Sequence, residues 1–337
     1  MATGVSGPDL DAALAAGDLD ELLRWVDRLC DARDWDALVT LGQRSRAAFA
    51  ASGRQLWPIV SQVEYRLALE APPAWAASVL VEGAGRFALG PLPEVVASTH
   101  TWSELAPHVE AGPAAGLAAH ERVVRGEDVD CDEGIGLGVL EVPERLCPWE
   151  PAYAVATYRA DGADFPAPPP PRLAALDLPR RAPVVGAVVD DVETCAALRG
   201  LVERWVVESD GMVEVAAVRG CAEDAVAVVA GERLVGGLEV TADQALAAMA
   251  WAGASGGAHG RRRGAAVGRF GAWWALAALT GLLDDWPVAP EQLGEAAAEL
   301  RWLLWQPAAS SGGWSLHLAV EDPGDNLAWA IAATDLG

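Results

Sequence analysis

The chain has 337 residues, 52% of them apolar, and a formal net charge of −24. That is enough apolar side chain for two cores and too much for a disordered chain, and a surface this negative repels nucleic acid and anionic lipid. All 24 Lys or Arg positions are arginine, which excludes a P-loop lysine, a Schiff-base lysine and a lysine general base.

The first residues, MATGVSGPDLDAAL, have neither the basic stretch nor the apolar stretch of a signal peptide. Five scattered cysteines (Cys30, Cys131, Cys147, Cys195 and Cys221), without a C-x-x-C pair, read as reduced thiols. Both features point to a cytoplasmic protein.

Residues 1–126 predict an all-helical domain. Asp18 with Glu21 marks a helix start, followed by an apolar face of Leu22, Leu23, Trp25, Val26 and Leu29. Trp35, Leu38, Val39, Leu41 and Phe49 form the next face, and further helices are expected over 56–70, 74–87 and 114–125. Thr101 with Glu104 is a capping box. Short turns between these segments suggest either helical hairpins stacked in the manner of TPR or HEAT units, a shape suited to a protein partner, or a plain helical bundle. His100, His108 and His120 lie at spacings that no helical metal pair uses, so a metal site is not expected.

Residues 127–182 read as an acidic and proline-rich linker. Asp128, Asp130 and Asp132 imitate the start of a calcium loop, but Glu133 and Val139 stand where that loop needs Gly and Glu. The glycines at 134, 136 and 138 lack the spacing of a dinucleotide turn. A short strand is expected at 153–158 and a polyproline spacer at 165–171.

Residues 183–337 predict a mixed α/β domain, making the whole chain α+β. Strands are expected at 184–189 and 212–218, with a helix over 191–208 between them and another over 222–230 after them. Strand–helix–strand order favours a parallel pair. Pro290 opens a helix expected to run to Gln306, with Leu293, Ala297, Leu300 and Leu304 on one face. Trp314, Leu316, Leu318 and Val320, then Leu327, Trp329, Ile331 and Ala333, alternate on either side of a Pro-Gly turn, as a final β-hairpin does. Together these predict a small four-stranded mixed sheet.

The stretch 251–286 holds the densest positive charge of the chain. Thr241 with Gln244 opens a helix expected over 242–252, which stops at the turn Gly253-Ala-Ser-Gly-Gly257. A second helix is expected from His259 or Arg261 to Leu283, placing Gly260, Gly264 and Gly268 on one face. Arg261, Arg262 and Arg263 are consecutive, so at ~100° per residue they cannot all face one side of a helix. Arg269 adds a fourth charge. Ser255, Gly256, Gly257, His259 and Gly260 at a helix start, with these arginines, read either as an anion cradle, with free N–H groups, a positive dipole end and forked donors, or as a tight helix–helix seam whose arginines pair with the chain's own acids. The expected ligand is a small phosphorylated or carboxylated anion. The uncharged run 270–283 would span about 21 Å, short of the ~30 Å of a bilayer core, so no membrane span is expected.

Gly253-Ala-Ser255-Gly-Gly257 also has the form G-x-S-x-G, but a helix precedes it where a nucleophile elbow needs a strand. His259 is a general acid/base candidate, and Asp190-Asp191 either gathers a ligand at a strand end or caps the next helix. No complete catalytic set and no cofactor motif is evident, which favours an interaction or regulatory protein. The alternative is an enzyme acting on a phosphorylated or carboxylated small molecule, with His259, Ser255 and Asp190 around the same turn.

The run Ala254-Ser-Gly-Gly-Ala-His-Gly-Arg-Arg-Arg-Gly-Ala-Ala266, with Gly268-Arg269 and Trp273-Trp274, resembles the signature of an uncharacterised domain-of-unknown-function family from high-GC bacteria. The absence of lysine and the abundance of alanine agree with such a genome. The resemblance implies no activity and no catalytic residues.

Overall fold

The computed structural model describes residues 8–53, 55–129, 137–168, 174–175, 188–231, 235–308 and 313–337. The chain divides into two units, one of Met1–Arg122, Val129–Val139 and Ala156–Asp164 and one of Val123–Asp128, Leu140–Val155 and Phe165–Gly337. Of the segment expected to be a linker, 156–164 thus folds with the first unit and 140–155 with the second. The acidic positions 130–133 and most of the proline run lie outside the described residues.

The first unit is helical, as its periodicity requires. Its helices are α1 (Pro8–Ala16), α2 (Leu19–Ala32), α3 (Trp35–Ser52), α4 (Trp57–Glu70), α5 (Pro73–Ala77), α6 (Leu92–Thr99), α7 (Trp102–Leu105) and α8 (Pro113–Val124). The expected caps form: Asp18 Oδ1 accepts the Glu21 N–H at 3.0 Å, and Glu104 Oε2 accepts both the N–H and the hydroxyl of Thr101 at 2.9 Å. α4 packs against α2, α3, α5 and α6 and is buried along most of its length, including Glu64 and Arg66. Arg66 carries its charge inside because Asp27 (2.6 Å) and Glu70 (2.7 Å) neutralise it.

Two expectations shift here. The helix expected over 74–87 ends at Ala77, and the left-handed conformations of Gly83 (φ 80°) and Gly85 (φ 69°) would stop any helix running on to 87. The strand expected at 153–158 is displaced to β1 (Thr157–Arg159), paired antiparallel with β2 (Gly162–Asp164).

The second unit is built on one sheet. Its elements are β3 (Ala174–Ala175), β4 (Val188–Val189), α9 (Val192–Leu201), α10 (Glu203–Val207), β5 (Met212–Arg219), α11 (Ala222–Ala230), β6 (Val235–Val240), α12 (Ala242–Ala254), α13 (Ala265–Leu279), α14 (Pro290–Glu299), β7 (Arg301–Pro307), β8 (Trp314–Asp322) and β9 (Leu327–Asp335). The order across the sheet is β3-β6-β7-β8-β9-β5-β4. The α+β class and the final hairpin, β8 with β9, are as expected. The four strands expected become seven, and the mixed sheet becomes antiparallel at every pairing described. The expected parallel pair is antiparallel because the chain between the strands is two helices, not one. α9 ends at Leu201, α10 ends at Val207, and the Gly211 N–H folds back onto the Trp205 carbonyl at 2.9 Å before β5 begins. Of the strand expected at 184–189, residues 184–187 lie outside the described residues.

Both faces of the sheet are covered. Leu303, Trp305, Ala319, Ala328 and Ala330 pack in one cluster with α11. Their alternates Trp302, Leu318, Val320 and Ile331 are equally buried and point the other way, where α12 packs on β7 and β8 and α9 on β5 and β9. The helix expected to run from Pro290 to Gln306 therefore stops at Glu299, and 301–307 is a central strand. A strand buried on both faces reads as a continuous apolar run, and Leu300 and Leu304 fall on the preceding helix's period by coincidence.

Candidate functional site

The Gly/Arg segment 255–264 joins α12 to α13. These two helices pack closely because Gly253 and Gly268 face each other: a Cβ at Gly253 would lie 3.3 Å from the Gly268 Cα, and one at Gly268 would collide with the Ala250 carbonyl. α13 starts at Ala265, not at 259–261, with Gly264 at φ 103° just before it. Gly260, Gly264 and Gly268 therefore do not share a helical face. Gly260 lies against the Gly256 backbone instead, so closely that a side chain at either would strike the other.

Below this loop is a tryptophan cluster. Trp205 packs edge-on to Trp251 at 6.0 Å, and Trp251 stacks on Trp314 at 5.1 Å. Ser255, 2% exposed, accepts the Trp205 indole N–H at 2.8 Å and bonds the Ala252 carbonyl at 3.2 Å. It is a buried capping hydroxyl, and the nucleophile of the G-x-S-x-G reading is occupied there.

The N–H groups of Gly257, Ala258, His259, Arg261 and Arg263 are met from within the chain. Gly257 N–H points to Ser255 Oγ (3.4 Å), Ala258 N–H to Asp335 Oδ2 (2.7 Å) and His259 N–H to Ser209 Oγ (3.2 Å). Arg261 N–H donates to Glu208 Oε2 (3.1 Å) and Arg263 N–H to the Ala254 carbonyl (2.8 Å). Two of these N–H groups are thus taken by the protein's own carboxylates, Asp335 and Glu208, and the helix start expected at 259–261 lies at Ala265 instead. Burial pushes the Asp335 carboxyl up, and the Ala258 N–H, the Ser209 hydroxyl and the Gly337 N–H outweigh it, leaving its pKa below the ordinary value.

The arginines separate into two groups. Arg269, 1% exposed, forms a fork with Glu150 (Nε 2.7 Å, Nη2 2.7 Å) and also donates to the carbonyls of Pro143 (2.7 Å) and Arg145 (3.0 Å). Glu150 further accepts from Tyr153, Trp273 and the Cys147 N–H. Burial opposes the charge on Glu150, but Arg269 and the other donors hold its pKa below the usual carboxylate range. Arg269 is therefore a core ion pair that fixes residues 140–155 to α13, and it leaves the ligand set. Arg261 is exposed, Arg262 lies 4.9 Å over the Phe165 ring, and Arg263 is half-buried. Burial lowers the Arg263 pKa, Arg204 lowers it further and Glu203 opposes both. Among the described residues the Arg263 guanidinium makes no ion pair.

Asp191 caps α9 through the Thr194 N–H (3.1 Å) and accepts the Trp329 indole N–H (2.8 Å), so it serves the fold. Burial raises the thiol pKa of Cys30 to about 12 and of Cys147 and Cys221 to about 11, far from a reactive thiolate. Among the described residues no group of three or more His, Cys, Asp or Glu side chains is placed to hold a metal ion. Among them, too, no helix is long and apolar enough to cross a membrane.

A family model described only as a family of unknown function, DUF6183, matches residues 20–337. The chain belongs to this family. The match runs from α2 through β9, so the family comprises the helical unit as well as the sheet and the Gly/Arg loop. No curated protein and no solved structure matches the chain. The residues that organise the loop, Trp205, Glu208, Ser209 and Asp335, come from distant positions, and no local pattern around any of them announces that role.

Proposed function

We propose that this protein is a non-enzymatic cytoplasmic interaction or regulatory protein that takes a small phosphorylated or carboxylated anion on Arg261, Arg262 and Arg263, with His259 in the same loop. The helical unit is the part suited to a protein partner. The observation that carries the anion reading is the Arg263 guanidinium, half-buried and without an ion pair among the described residues. A partly desolvated cation raises the energy of the empty protein, and an anion received there relieves the cost of burial. The exposed Arg261 gives such a ligand a second donor fork. The buried Ser255, held by Trp205, speaks against the enzyme alternative at the same loop.

Calorimetric titration of phosphate, pyrophosphate and citrate into wild type and an Arg261→Ala/Arg262→Ala/Arg263→Ala variant tests the proposal. Binding to the wild type that the triple variant loses is expected. No heat with any of the three anions, or equal binding to the variant, contradicts it.

A further inference from the structure

Phe270, Trp274 and Trp286 form an aromatic cluster on the outer side of α13. Trp286 meets Trp274 edge-on at 5.1 Å and Phe270 edge-on at 5.8 Å, while Phe270 and Trp274 lie nearly parallel at 6.3 Å, one helical turn apart. Trp274 is nevertheless 37% exposed. Acids frame the cluster: Asp284 and Asp285 are exposed within two residues of Trp286, and Glu141 accepts the Trp286 indole N–H at 2.9 Å.

The chain itself shows what completes such an arrangement. Arg28 lies 4.4 Å over Trp25, Arg262 lies 4.9 Å over Phe165, and Arg269 lies 5.4 Å over Trp273 while pairing with Glu150. One residue after Trp273, Trp274 has the aromatic wall, and its ring partner Trp286 is flanked in sequence by the exposed Asp284 and Asp285, but among the described residues no arginine covers it. We infer that this face receives an arginine side chain from a basic segment of a partner protein, its guanidinium lying on Trp274 and paired with Asp284 or Asp285. Contact between the rings leaves no cage between them for a quaternary ammonium, so a flat cation on the outer face is the ligand the geometry suits. The surrounding charge of −24 draws a basic segment in, and the ring supplies the preference for arginine over lysine.

The test uses the full chain and fluorescein-labelled peptides of four Gly-Arg or four Gly-Lys repeats, read by fluorescence anisotropy at physiological salt. The Arg peptide should bind more tightly than the Lys peptide. Trp274→Ala should weaken the Arg peptide about fivefold and abolish that preference, and Trp274→Phe should keep most of it. Asp284→Asn/Asp285→Asn should weaken both peptides and flatten the salt dependence. Equal affinity for the two peptides, or a Trp274→Ala variant that binds like wild type, would reduce the effect to general attraction by an acidic protein and overturn the inference. Self-association of the chain alone that Trp274→Ala removes would assign the face to a second copy and overturn it equally.

Discussion

At the scale of single residues, the fold depends on arginines that it neutralises internally. Removing one partner of the Arg269–Glu150 pair leaves the other charged and buried, so Arg269→Ala should cost on the order of 3–5 kcal/mol in urea unfolding. Arg269→Met combined with Glu150→Gln should cost less than the two single changes added together, because neither partner is then left as a bare charge. Arg301 shows a second, more exposed form of the same device, holding Glu223 at 2.6 Å, Glu321 at 2.8 Å and Glu239 at 2.9 Å. Its bond keeps the Glu223 carboxyl at about 2, against an ordinary value of 4.5. A depressed carboxylate stabilises the fold above its unfolded pKa and loses that contribution as pH falls through the folded one. Wild-type stability should therefore decline from about pH 4.5 towards pH 2, and Glu223→Gln should flatten that decline; an unchanged acid limb in the variant would remove Glu223 from the account.

At the scale of elements, the α12–α13 crossing turns on one glycine. Gly268→Ala sets a Cβ against the Ala250 carbonyl, which belongs to backbone and cannot swing away, so a loss of about 1–3 kcal/mol is expected. Gly271→Ala, three residues further on, meets only Leu201 Cδ2 at 3.4 Å and should gain up to about 1 kcal/mol of helix propensity. Thermal melts of both variants check the contrast, and equal shifts would refute it. A helix over this stretch was legible in the sequence, but its start and the shared face of Gly260, Gly264 and Gly268 were not, because bonds that hold 257–263 away from helix come from Ser209, Glu208 and Asp335. Local signals carried α2, α11, α12 and the β8–β9 hairpin, where caps, stops or strict alternation are encoded within a few residues. They failed at β7, whose two-sided burial makes Trp302, Leu303 and Trp305 read like a helix. They also failed at β6, whose two central glycines hide any alternation.

At the scale of the whole molecule, composition foretold an α+β chain with a helical N-terminal part, and the described residues agree. The antiparallel sheet, the split of 140–164 between the two units and the buried Glu150 rest on pairings far apart in sequence, which composition and periodicity do not encode. In the Arg/Gly loop, the backbone N–H groups of Ala258 and Arg261 are met by the chain's own carboxylates Asp335 and Glu208. Beside them Arg263 is half-buried and makes no ion pair among the described residues. The most direct test compares melting temperatures of wild type and Arg263→Met in pyrophosphate and in sodium chloride of matched ionic strength. The account predicts that pyrophosphate raises the wild-type transition, by about 2.7 kcal/mol of stability at a hundredfold excess over Kd. Arg263→Met should be at least as stable as wild type without the anion and gain nothing from it. A wild-type transition that pyrophosphate leaves unmoved, or a variant that gains as much, would contradict the account.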